Sequence, residues 1–91
     1  MIVRTLTVPN ALGLHARAAA RFVHAATGFA ARVRVSCRGR EMDGKSIMGL
    51  LLLGAGCGHA ITLTVDGADE SAAADALSAL VARGFDEAPC A

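Results

Sequence analysis

Two segments of this chain, Arg32-Val33-Arg34-Val35-Ser36-Cys37-Arg38 and Ala60-Ile61-Thr62-Leu63-Thr64-Val65-Asp66, alternate polar and apolar side chains without a break. Successive side chains of an extended chain point to opposite faces, so each segment has one face for a core and one for water. Thr5 to Val8 carries the same alternation. Arg38-Gly39-Arg40-Glu41 reads as a tight turn into a short strand at Glu41-Met42-Asp43, the hairpin partner of residues 32–38. One-sided strands of this kind predict an antiparallel sheet with a single covered face.

Helical spacing supplies the cover. Ala19, Phe22, Val23 and Ala26 share one face of a helix stopped by Gly28, while Arg17, Arg21 and His24 share the other. Ser46 is placed to cap a second helix running through Leu53, which Gly54-Ala55-Gly56-Cys57-Gly58 ends. A third begins at Asp69 or Glu70 and runs to Arg83, with Ala73, Leu77, Leu80 and Val81 inward and Gly84 as its stop. The order βαββαβα predicts an α+β open-faced sandwich, a four-stranded antiparallel sheet with three helices on one face. In a chain of 91 residues, residues 1–86 are expected to form a single domain and residues 87–91 a frayed tail.

Composition narrows the function classes. With 54% hydrophobic and 19% charged residues the chain is globular, and at net charge +1 it lacks a basic footprint for nucleic acid or an anionic membrane. Phe22, Phe29 and Phe85 are its aromatic residues, and none sits in a predicted strand as a base-stacking platform. No stretch is long and apolar enough for a membrane span, and the first residues lack the pattern of a secretory leader, so a cytoplasmic protein without membrane insertion is expected. Cys37, Cys57 and Cys90 are far apart and odd in number, so reduced thiols are expected. Neither they nor His15, His24 and His59 have metal-ligand spacing, and Gly54-x-Gly56-x-Gly58 fits no nucleotide loop; no cofactor and no metal are expected.

The chemistry concentrates at Gly13-Leu14-His15-Ala16-Arg17, where a strand-like segment gives way to the first helix. A helix start exposes unpaired N–H groups and the positive end of the peptide dipoles, which together stabilise an anion. Arg17 adds a permanently charged donor. Histidine retains a neutral, nucleophilic fraction near neutral pH, so His15 is the candidate phosphoryl acceptor. No Asp or Glu lies within several residues of it, so partner proteins are expected to supply the remaining catalytic groups. His24, on the polar helix face, suits partner contact, and His59 after a glycine turn reads as structural or exposed.

The runs Gly13-Leu14-His15-Ala16-Arg17-Ala18-Ala19-Ala20 and Asp43-Gly44-Lys45-Ser46-Ile47-Met48-Gly49-Leu50 together resemble the HPr family of histidine-containing phosphocarriers of the bacterial phosphotransferase system, over about residues 2 to 86. The resemblance implies a carrier and not a self-contained enzyme. It implies that His15 accepts phosphate from enzyme I as pros-phosphohistidine, beside Arg17, and passes it to an enzyme IIA domain in sugar uptake or its regulation. It also implies a monomer whose first and last strands pair in the sheet's interior.

In that family a dedicated HPr kinase/phosphorylase modifies the serine of the second motif, here Ser46, in addition to its capping role. A phosphate there adds about two negative charges to the docking face. Leu50 and Leu53 are expected in the core, leaving Ile47, Met48 and Leu51 as an exposed patch which, with Ala20, Arg21 and His24, makes the partner surface. Most sugar-pathway members carry proline where this chain has Ala18. His-Ala-Arg-Ala-Ala also resembles the nitrogen-related branch, so the alternative is a regulatory module of that branch, acting through partner binding and Ser46.

Overall fold

The computed structural model describes residues 1–90. Its elements are β1 (Ile2–Thr7), α1 (Ala16–Thr27), β2 (Arg32–Cys37), β3 (Arg40–Asp43), α2 (Ile47–Leu53), β4 (Ala60–Asp66), α3 (Glu70–Ala82) and a 3-10 turn, Gly84–Asp86. The strands form one antiparallel sheet in the order β1-β4-β2-β3. This is the α+β open-faced sandwich that the alternating segments require.

Register explains the asymmetry. Val33 pairs with Val65, which pairs in turn with Ile2, and Val35 pairs with Leu63. These side chains face the helices; Val33, Val35, Leu63 and Val65, with Phe22, Leu50, Leu77 and Phe85, are in the buried core, and half-buried Ile2 packs against it. On the opposite face Val3, Thr64 and Arg34 form one row and Thr5, Thr62 and Ser36 the next.

Two expectations for the first strand are corrected. β1 begins at Ile2, ahead of the expected Thr5, and ends at Thr7. Arg4 hid the start because it breaks the apolar pattern on the covered face, where its guanidinium reaches Asp75 Oδ1 at 2.7 Å and Ser78 Oγ at 3.2 Å on α3. β1 does pair with β4, but it forms an edge of the sheet, and β4 and β2 are the interior strands.

Ser46 caps α2 as expected, its Oγ accepting from the Gly49 N–H at 3.1 Å. Gly54 closes the helix in the left-handed conformation, φ 62°. Ser46→Ala is expected to lower stability by about 1 kcal/mol, the usual cost of losing such a cap, in urea denaturation. Asp69 is different: its carboxylate accepts from the Ala30 and Ala31 N–H groups, both at 2.8 Å, and ties the β2 entry to the start of α3 without capping that helix.

The segment 87–90, expected as a frayed tail, is hydrogen-bonded to the segment before α1; Ala91 lies outside the described residues. Ala11 N–H donates to Ala88 O at 3.0 Å and Cys90 N–H to Pro9 O at 2.8 Å. Cys57 and Cys90 are joined in a disulfide, which corrects the expectation of reduced thiols at those positions, while Cys37 is free and buried. Residues 33 apart in sequence give no spacing signal. The fold nevertheless lays the segment after α2 beside the C-terminal segment.

Candidate functional site

His15 is the N-cap residue of α1, in extended conformation with φ −78° and ψ 179°. Its Nδ1 accepts from the Arg17 N–H at 3.3 Å. Its Nε2 lies 2.7 Å and 2.9 Å from the two carboxylate oxygens of Glu87. A carboxylate only accepts, so Nε2 carries the proton and donates, and Nδ1 keeps its lone pair toward the helix start. The two contacts fix a single neutral tautomer.

Glu87 is the residue the sequence reading missed. It is separated from His15 by 72 positions and lies in a segment expected to fray. Its partners are fixed by the fold: Arg17 Nε donates to Oε2 at 3.0 Å and Asn10 Nδ2 to Oε1 at 3.1 Å. Arg21 Nη1 lies 3.8 Å from Oε2 and donates to the Phe85 carbonyl. Asn10, a fully buried polar side chain, also donates to Gly13 O at 2.9 Å and thereby joins the His15 loop to the carboxylate. An acidic residue within the last few positions of the chain is the one signal in the sequence, and by itself it names no partner.

Phe85 explains how Glu87 arrives. Phe85 is fully buried, and it and Asp86 have φ 56° and 60°, an uncommon left-handed pair that turns the chain back toward the start of α1. On the other side, Leu14 N–H donates to Ala55 O at 2.9 Å and seats the His15 loop on the segment after α2. Gly13 has φ +63°, and the backbone of Ala55 and Gly56 occupies the space where a Cβ would project.

The Glu87 carboxyl is held well below its ordinary value of 4.5, at about 2. The largest cause is the His15 hydrogen bond; those of Arg17 and Asn10 act in the same sense and desolvation opposes them. A depressed carboxyl stabilises the fold above the unfolded value, so this contribution is present above about pH 4.5 and is lost as the pH falls through about 2. A side-chain 13C titration is expected to place the Glu87 midpoint near 2, and a midpoint near 4.5 would show that the carboxylate does not bridge His15 and Arg17.

The other predicted residues fall into two groups. Ala20, Arg21 and His24 are exposed on α1. Ile47, Met48 and Leu51 are exposed on α2, beside α1, with exposures of 43%, 66% and 37%, and Leu50 and Leu53 are buried. Leu52, also on α2, and Leu12, in the loop before α1, are exposed as well. Ser46 stays in its cap. His59 is structural: its Nδ1 accepts from the Gly56 N–H at 2.8 Å.

A one-sided sandwich that presents a tautomer-fixed histidine at a helix start, beside arginine, defines a class of small phosphoryl-carrying proteins. Residues 2–83 match the family model described as the PTS HPr component phosphorylation site. The chain is 49% identical to the phosphocarrier protein HPr of Cupriavidus necator, across 96% of this chain and 98% of that one. It is 44% identical to the phosphocarrier protein NPr of Shewanella violacea, across 93% of each. The crystal structure of HPr from Thermoanaerobacter tengcongensis superposes with TM-score 0.92 at 38% identity, covering 96% of this chain and 98% of that one. The chain belongs to the HPr family of the phosphotransferase system.

Among the described residues no helix is long and apolar enough to cross a membrane.

Proposed function

We propose that the protein carries a phosphoryl group on His15 Nδ1, taking it from phosphorylated enzyme I and giving it to an enzyme IIA domain in the cytoplasm. The observation that supports this most is the paired hydrogen bonding of His15: Nε2–H is donated to Glu87, and the Nδ1 lone pair faces the first amides of α1. In transfer, Nδ1 attacks phosphorus in line while the bond to the donor breaks and its electron pair leaves with the donor. The Nε2 proton stays on the ring, opposite the Glu87 carboxylate, which offsets the positive charge that develops there, as the carboxylate of a His–carboxylate pair does. The amides of α1 and Arg17 receive the phosphoryl oxygens.

Onward transfer runs the same step in reverse, with neutral imidazole as the leaving group. The site is open and its stabilisation modest, as a carrier requires, because an intermediate bound too tightly would be slow to leave. Ala20, Arg21, His24, Ile47, Met48 and Leu51 form the docking face for both partners, apolar on α2 and basic on α1. Ser46 is the regulatory position, where an HPr kinase would add charge at the edge of that face.

Incubation with enzyme I and phosphoenolpyruvate, followed by intact mass, tests the reading. A gain of one phosphate that is lost in acid and retained in Ser46→Ala supports it; no gain, or an acid-stable phosphate, overturns it. A second reading, regulation within the nitrogen-related branch, is favoured by Ala18 in the His-Ala-Arg-Ala-Ala run and by the similarity to an NPr. Competition between enzyme IIA domains of the two branches for the phosphorylated protein separates the readings.

A further inference from the structure

We propose that Cys57 and Cys90 form a redox latch on the His15 site: joined, they hold Glu87 against His15 and Arg17, and as two thiols they loosen that segment and leave Arg17 to the phosphoryl group. The proposal rests on the phosphocarrier reading and adds to it a control that depends on these cysteines of this chain.

The disulfide joins the two segments that flank the site. Cys57 follows Ala55 and Gly56, the backbone on which Gly13 and Leu14 are seated. Cys90 lies three residues beyond Glu87 in the same short segment, whose other ties among the described residues are the backbone hydrogen bonds to Pro9, Ala11 and Gly84 and the side-chain contacts of Glu87. Upstream, buried Phe85 anchors the chain whatever the state of the thiols. Glu87 therefore sits between a permanent anchor and a reversible one. Opening the second leaves the core intact and lowers the effective concentration of the carboxylate at His15.

The chemistry is available to the small thiol–disulfide couples of a cell. Cys57 is exposed and Cys90 half-buried, whereas Cys37 is buried and does not compete. Cys57 thiolate attacks a small disulfide, forming a mixed disulfide and expelling one small thiolate; Cys90 thiolate then attacks the Cys57 sulfur and expels the second. The protein gives up two protons and two electrons, and the small disulfide is reduced to two thiols. A dithiol reverses both steps.

The sign follows from charge. A phosphoryl group on Nδ1 requires Arg17, and Glu87 competes for the same guanidinium at 3.0 Å while repelling the new anion. Glu87 also faces the single positive charge of the phosphorylated ring, but the phosphoryl group carries about two negative charges, so repulsion and competition for Arg17 prevail and the latched form holds phosphohistidine less firmly. For one partly exposed charged pair the expected effect is about three- to fivefold in phosphohistidine lifetime, shorter in the disulfide form.

The test uses the full chain as the disulfide, after reduction with dithiothreitol, and as Cys57→Ser/Cys90→Ser, with amide spectra checking that each is folded. After phosphorylation by enzyme I, the lifetime of the acid-labile phosphate is expected to lengthen about three- to fivefold on reduction and in the double variant, and Glu87→Gln is expected to erase that difference. Equal lifetimes, or a difference that survives Glu87→Gln, overturn the latch. The His15 Nε2–H resonance gives an independent reading on unphosphorylated protein: a shift on reduction supports release of Glu87, and an unchanged signal overturns it. Failure of every form to take phosphate would instead refute the carrier reading, with the latch still decided by that resonance.

Discussion

His15→Ala is expected to reduce phosphate uptake from phosphorylated enzyme I to background, a loss on the order of 10⁴-fold or more, because it removes the proposed acceptor of the phosphoryl group. Part of any loss in such a variant could come from the fold, since His15 also caps α1 through the Arg17 N–H. Losing a cap costs about 1 kcal/mol. His15→Asn separates the two roles. Asparagine is among the best capping residues, and its side-chain oxygen can accept from the first amides. It has no nucleophilic nitrogen. The expected outcome is near-wild-type stability in urea with uptake as low as in His15→Ala. Uptake that survives in either variant would move the acceptor to another residue.

Gly13→Ala is expected to destabilise the protein by about 2–5 kcal/mol and to weaken phosphate acceptance although it removes no chemical group. The backbone at φ +63° disfavours any residue with a Cβ, by about 1–2 kcal/mol. The added methyl would also press on Ala55 O and stand 2.7 Å from Gly56 Cα, and backbone cannot rotate away as a side-chain tip does. The loop must lift. That lengthens the Leu14 N–H to Ala55 O bond and the Asn10 Nδ2 to Gly13 O bond, and with the second of these the alignment of His15 with Glu87 loosens. Thermal denaturation and the initial rate of phosphate uptake would both fall. By contrast, Gly39 has a similar φ of +83° but open space around it, so Gly39→Ala is expected to cost only the backbone preference.

What the sequence made legible was set by local physics. Alternation exposed β2 and β4 because each strand has one face in the core, and Ser46 and Gly54 marked the two ends of α2 by cap chemistry alone. His15 and Arg17 could be read because the helix start and both side chains lie within three positions. Glu87 and Asn10 could not, since their places depend on the turn at Phe85–Asp86 and on the pairing of residues 88–90 with 9–11. The Cys57–Cys90 pair is hidden from the sequence for the same reason: spacing and compartment carry no information on proximity, which the fold decides. Arg4 shows the converse, a charged side chain on the covered face that hides a strand because its partners, Asp75 and Ser78, lie on α3.

The ring atom that bears phosphorus decides whether Glu87 and the start of α1 have the proposed roles. Protein with 15N-labelled histidine, phosphorylated by enzyme I and phosphoenolpyruvate, should show 31P–15N coupling at Nδ1 of His15 with Nε2 still protonated. Coupling at Nε2, or phosphorus on a serine oxygen, would contradict the roles assigned here to Glu87 and to the start of α1.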